Sequence, residues 1–226
     1  MLPLAGCPTP HGGSPAVVAT QTRENQIAIT AAQALALLEE GNDRFVSGQM
    51  IHRDLQRQVK ETSGSQYPFA AVVTCLDSRI TPEFMFDQGL GDIFSARVAG
   101  NIINEDILGS LEFATKVSGA KLIAVIGHTN CGAIKGACDD VQLGHLTSLL
   151  ARIQPAVNAV QTAPGEARSS KNHAFVEKVA EMHVRLTLKA IREQDPILND
   201  LIERGQIGLI GDIYDLETGK VTFLKD

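Results

Sequence analysis

The chain is 226 residues long and carries 20 basic against 26 acidic side chains, a formal charge of −6. At 44% hydrophobic and 20% charged it has the composition of a folded domain with a substantial core, which excludes wholesale disorder. The acidic balance and the lack of a basic stripe argue against a nucleic-acid partner, and no run of 18 apolar residues is present to span a bilayer.

In chain order, residues 1–25 hold Pro3, Pro8, Pro10 and Pro15 with three glycines and little apolar periodicity, and read as a disordered tail or tether. Within them Leu4-Ala5-Gly6-Cys7 has the pattern of a bacterial lipobox. That pattern would make Cys7 a lipid anchor and the protein periplasmic or membrane-tethered; without it a cytoplasmic protein is expected. Residues 26–226 are expected to form a single domain, folded from near Thr30. Thr30-Ala31-Ala32-Gln33 is a capping-box pattern that opens a helix running through Phe45 and stopping at Gly48. A polar helix or loop follows to Gly64. The apolar run 69–74 reads as a strand ending at Cys75, and Thr81-Pro82 as a helix start with Pro at the first helical position.

Residues 93–97 read as a second strand, and Asn104 to Val117 as a helix closed by Gly119. A third strand, 121–127, is apolar throughout its middle and therefore central, covered on both faces. A helix starts near Gly132, and two longer helical stretches cover about 145–160 and 172–194. A short helix over 197–204, a fourth strand over 207–211 and a terminal hairpin through the Thr218-Gly219 turn complete the chain. Strands alternating with helices imply an α/β fold: a mainly parallel central sheet flanked by helices, with an N-terminal helical arm.

Four cysteines are present: Cys7, Cys75, Cys131 and Cys138. A chain with its own core needs no disulfide framework, and Cys138 reads as a small packed side chain. Cys75-Leu76-Asp77-Ser78-Arg79 is followed, 53 positions after Cys75, by His128-Thr129-Asn130-Cys131. Both clusters lie just past the C-terminal ends of expected parallel strands, the edge at which open α/β sheets bind ligands. Two thiolates and one imidazole suit Zn²⁺ at tetrahedral geometry, and three protein ligands leave a fourth position open, as in catalytic zinc sites. Asp77 could fill that position and close the site, which would give a non-catalytic, zinc-stabilised interaction protein. Alternatively Arg79 holds the Asp77 carboxylate in a bidentate pair and keeps the position free. A zinc nucleobase deaminase needs a Glu two residues after the His and a Cys-x-x-Cys pair; Asn130 stands there instead, and no such pair exists.

These motifs, Cys-x-Asp-x-Arg at 75–79 and His-x-x-Cys-Gly at 128–132, with Arg97-Val-Ala-Gly-Asn101 between them, resemble those of the β-class carbonic anhydrases. The resemblance covers about residues 30–224. It implies zinc on Cys75, His128 and Cys131, a catalytic dyad of Asp77 and Arg79, and reversible hydration of CO₂ to bicarbonate and a proton by a zinc-bound hydroxide. Hydrolysis of a related heterocumulene, CS₂ or COS, is the alternative on the same scaffold. A homodimer or tetramer is implied as well. Gln66 and Phe94 match residues that, in members resembling the plant enzymes, line an apolar CO₂ pocket across a dimer interface, and Gly132 is assigned to the same pocket. That pocket's Tyr has no match near Ile107. In the other group a Trp, an Arg and a Tyr bind an inhibitory bicarbonate. Arg97 and Tyr214 match two of these, but Val72 stands where the Trp would be, so the constitutively open type is expected. The remaining histidines, His11 in the tail and His52, His145, His173 and His183 on polar or helical segments, are expected to be solvated.

Overall fold

The computed structural model describes residues 18–224; the Leu4–Cys7 pattern and His11 lie outside them. Five runs rich in β-branched and small apolar residues form one sheet: β1 (Ala70–Thr74), β2 (Ile93–Arg97), β3 (Leu122–His128), β4 (Gly208–Tyr214) and β5 (Val221–Phe223). Their spatial order is β2-β1-β3-β4-β5. The first four are mutually parallel and β5 returns antiparallel to β4, as the hairpin signal requires. Every residue of β1 and β3 is buried, whereas β2 at the sheet edge exposes Ser95 and Arg97. Only strands covered on both faces can be apolar at every position, so the run in β3 fixes its central place.

Alternation along the strands splits the core. One layer holds Val72, Ala124 and Ile126 with Ala34 and Leu38 of α2 (Ala31–Val46). The other holds Val73, Ile123 and Val125 with Leu111 of α5 (Glu105–Glu112), Val184 of α9 (His173–Gln194) and Leu198 of α10 (Pro196–Glu203). Each of the valine, leucine and isoleucine side chains among them, fully buried, contributes about 1.5–3 kcal/mol. Helix α2 opens with the expected reciprocal capping box between Thr30 and Gln33. Its Gly41 lies where a Cβ would stand 1.8 Å from the Phe86 carbonyl oxygen, so only glycine lets α2 approach α4 (Pro82–Met85) this closely. No helix among the described residues is long and apolar enough to cross a membrane.

The structure departs from the sequence reading at several elements. The fold begins before Thr30, with α1 (Arg23–Ala28) capped by Thr22 and tied down by Gln26, whose amide donates to the Pro68 and Ser118 carbonyls. The polar stretch before Gly64, read as a helix or loop, is the first of these two, helix α3 (Leu55–Thr62), capped by Asp54. The stretch 145–160 is two helices, α7 (Gly144–Ala151) and α8 (Gln154–Ala159). Pro155 offers no N–H to the Ala151 carbonyl and its ring clashes there, so α7 ends at that residue. The 104–117 helix widens into a π-turn over Phe113–Val117, closed by Ser118 N–H on the Phe113 carbonyl. Strand β4 runs on past Gly211 to Tyr214.

Asp212 on β4 is completely buried, and neither carboxyl oxygen has a hydrogen-bond partner. Burial, with Glu39 nearby, pushes its pKa up to about 8 from 3.8. The folded chain therefore keeps a proton that the unfolded chain releases near pH 4. Stability is expected to fall as pH rises from about 4 to about 8, by at most about 1.4 kcal/mol per unit, and to level off above. Asp212→Asn should flatten that slope in urea unfolding at pH 5, 6.5 and 8; an unchanged slope contradicts the assignment.

Sheet order reverses between β1 and β3. From β1 the chain moves outward to β2, then crosses back to place β3 on the other side of β1. Divergence of the connecting segments at such a point opens a crevice beyond the carboxyl ends of the two strands.

Candidate metal centre

Cys75 and His128 stand at that crevice. Cys75 follows Thr74, the last residue of β1, which pairs with Ile126 of β3; His128 ends β3 two residues later. Cys131 comes next, as the residue capping α6 (Gly132–Cys138). All three side chains are buried, and their ligand atoms lie within 4.8 Å of one another. The two sulfurs are 4.0 Å apart. Two bonds of about 2.3 Å at a tetrahedral angle span roughly 3.8 Å, so the pair fits one zinc ion.

His128 supplies the strongest test of fit. Its Nδ1 lies 2.9 Å from the Thr129 carbonyl oxygen, which can only accept, so Nδ1 carries the proton. Nε2 then presents a lone pair, and this buried atom has no hydrogen-bond partner. A buried nitrogen left unpaired costs about 1–3 kcal/mol unless something occupies it. Here the thing that fits is a cation shared with two sulfurs.

Electrostatics favour thiolate. The Cys75 thiol is held well below its ordinary pKa, first by the hydrogen bond it shares with Cys131 and also by backbone N–H donors, including that of Gly100 at 3.2 Å from Sγ. The same hydrogen bond, together with burial, pushes Cys131 up. The pair therefore shares one proton, and a dication would displace it.

Around the cluster, the chain is pinned. Arg79 holds Asp77 three times, through its backbone N–H at 3.0 Å and Nε at 2.9 Å on Oδ1 and through Nη2 at 2.7 Å on Oδ2. Those bonds keep the Asp77 carboxyl far below the usual carboxylate range. Among the described residues the cluster within 4.8 Å comprises Cys75, His128 and Cys131, and Asp77 faces the guanidinium instead. Asn130 takes a left-handed backbone conformation, gives its N–H to Glu177 and accepts from Lys135. Leu216 N–H bonds to the Thr129 hydroxyl.

The other sequence-derived residues lie further out. Gly132 follows Cys131 directly, is exposed, and a Cβ there would meet nothing within 4 Å, so the space beside the cluster is open. Gln66 is exposed in the loop before β1, at the far end of that strand from Cys75; the five strand residues between span roughly 16 Å. Phe94 pairs with Ala71 near the same far end and packs edge-on against Phe113. Within one chain, neither reaches the cluster. Arg97 and Tyr214 are not brought together either. Strands β1 and β3 lie between theirs, about 14 Å at ordinary strand spacing. The Arg97 guanidinium is engaged with the Cys75, Leu76 and Asp77 carbonyls, and Tyr214 is buried in the core.

Two neighbours of the site escaped the sequence reading. Gly100, inside the quoted Arg97–Asn101 motif, donates to Cys75. His183 is not solvated: it is 4% exposed and bonds to the Gly100 carbonyl. Its signal was present, since it falls on the same 3.6-residue stripe of α9 as Val176, Val179, Ala180 and Thr187.

A family model described as carbonic anhydrase matches residues 70–221. Carbonic anhydrase 2 of Mycobacterium tuberculosis is 34% identical over 197 residues, covering 84% of this chain and 90% of the relative. Among solved structures, a β-carbonic anhydrase from Coccomyxa in complex with acetazolamide superposes with a TM-score of 0.66 at 24% identity, covering 84% of this chain and 86% of that one. Tetrameric β-carbonic anhydrases from Sordaria macrospora give 0.63 at 21% identity, covering 76% and 91%.

Proposed function

Because the chain belongs to the β-class carbonic anhydrase family, we propose that it catalyses the zinc-dependent, reversible hydration of CO₂ to bicarbonate and a proton. The observation that carries the proposal is the buried, unpartnered His128 Nε2 beside two sulfurs 4.0 Å apart. Cys75, His128 and Cys131 would hold the ion. When bound, zinc supplies the nucleophile by lowering the pKa of a water from 15.7 towards about 7, less far with two anionic thiolates, so activity is expected to rise above neutral pH. Asp77 contributes no step to that profile. Its carboxyl, kept low by Arg79, stays ionised throughout the working range and offers a fixed hydrogen-bond acceptor at the rim of the site. Gly132 leaves the approach free, and the buried walls limit bulk water.

A homodimer or tetramer is part of the same proposal. Edge strand β2 lies beside a cavity of about 680 Å³ that Phe94, Ile107 and Phe113 help to line. Phe113, on the lining of that cavity, is 50% exposed, and Val117 one turn on is 71% exposed, apolar side chains that a second copy would cover. Gln66 and Phe94, distant from the cluster in their own chain, would then contribute to a pocket across the interface.

Stopped-flow CO₂ hydration on protein of measured zinc content tests the activity. One zinc per chain is expected, with saturable hydration that a chelator abolishes and added zinc restores. Stoichiometric zinc with hydration no faster than buffer, or no zinc binding, overturns the proposal.

A further inference from the structure

Two hydrogen bonds converge on Gly100 from opposite sides. Its N–H donates to Cys75 Sγ at 3.2 Å, and its carbonyl accepts from His183 Nε2 at 2.8 Å. These groups belong to the two peptide units that flank one Cα. Gly100 has φ +67 and the following Asn101 φ +42, so the chain makes two successive left-handed residues here. A Cβ at Gly100 would stand 2.7 Å from Ile153 Cδ1 and 3.1 Å from Ala133 Cβ, which reserves the position for glycine. Packing thus fixes where Gly100 lies. The Gly100–Asn101 peptide is held at both of its polar ends, by the Asn101 N–H on the Val98 carbonyl at 3.0 Å and by His183 on the Gly100 carbonyl, and glycine is the residue freest to turn if either hold is lost.

We propose that His183 is a positioning residue for the metal centre, holding the Gly100–Asn101 peptide so that the Gly100 N–H stays aimed at the Cys75 sulfur. A carbonyl oxygen only accepts, so Nε2 carries the proton and the ring is locked in one tautomer. Burial keeps the imidazole neutral, with its pKa lowered to about 4, which leaves it one donor and one acceptor. His183 also borders a cavity of about 330 Å³ shared with Ile102, Leu186 and Thr187. An apolar side chain would suit this stripe of α9 better for packing alone, since a buried polar ring is costly unless bonded. The bond to Gly100 accounts for the histidine.

An N–H donor withdraws electron density from a thiolate and fixes its lone pairs. Outer-shell partners of this kind change metal affinity about 10–100-fold when removed. The test compares wild-type protein with His183→Leu and His183→Gln, the second of which places an amide N–H about where the imidazole Nε2–H stands. Zinc dissociation constants come from competition with a chromophoric chelator. The sulfur-to-metal charge-transfer band is read on the cobalt(II)-loaded proteins. In His183→Leu the zinc constant is expected to rise about 10–100-fold and the cobalt band to move to longer wavelength, because a sulfur stripped of its donor gives up an electron more easily. His183→Gln is expected to restore most of both. Wild-type constants and band in a folded His183→Leu, or a folded His183→Gln as impaired as Leu, overturn the positioning role. Should His183→Leu not fold, His183→Asn, whose amide falls an atom short of the Gly100 carbonyl, carries the same expectation. The inference rests on Cys75 as a metal ligand. Failure of that reading would show as a wild-type protein that binds no metal, whereas failure of the inference would show as variants that bind it unchanged.

Discussion

Arg79→Ala is expected to lower kcat/KM for CO₂ hydration by at least about 100-fold, the scale seen when one preorganised polar group is removed from a reacting centre, while zinc remains bound. The reason lies in how Asp77 is held. Two of its three hydrogen bonds come from the guanidinium, one to each oxygen. Deleting them leaves only the Arg79 backbone N–H on Oδ1. The freed carboxylate, one residue beyond Leu76 from a metal ligand, can then swing onto the fourth coordination position and close the site. Arg79→Lys returns a charge without the planar fork and should recover only part of the activity. Full activity in Arg79→Ala would show that the pair does not keep the position open.

Metal removal has the second large effect. Chelation, or Cys131→Ser, is expected to reduce hydration to the buffer rate and to destabilise the fold. A ligand present at a thousand times its dissociation constant stabilises by about 4 kcal/mol. In a domain of this size that is a Tm difference of roughly 8–16 °C. Physically, the apo protein keeps an unpartnered imidazole nitrogen and a shared thiol proton in its interior. Cys138→Ser is the control. Cys138 is half-buried on α6, outside the cluster, and its replacement should leave zinc content and activity unchanged. Loss of zinc in that variant, or an apo protein melting with the loaded one, would contradict the assignment.

The elements legible in the sequence were those whose signals are local. An unbroken apolar run places β3 in the middle of the sheet, Thr30 and Gln33 open α2, and the motifs at 75–79 and 128–132 meet because each follows the carboxyl end of its strand and those strands, β1 and β3, are neighbours. What escaped depends on partners remote in sequence. Helix α1 has no amphipathic stripe to betray it; a single glutamine amide reaching two distant carbonyls secures it. His183 was misread because a histidine among charged neighbours looks solvated, although its helical phase is apolar. Nothing local distinguishes the Arg97 guanidinium as a clasp on the 75–77 carbonyls, since that role exists only once β2 lies beside β1. Asp212 lies one residue past the strand expected over 207–211, and its burial follows from β4 continuing to Tyr214.

The ligands' division between two loops also constrains the order of events during synthesis. Cys75 leaves the ribosome more than fifty residues ahead of His128 and Cys131. Until β3 has zipped onto β1, the early cysteine is a solitary nucleophile exposed to oxidants and to stray soft cations. On the proposed zinc assignment, loading would follow formation of the central strand pair, and a nascent chain halted before residue 128 would hold the Cys75 sulfur without its two partners.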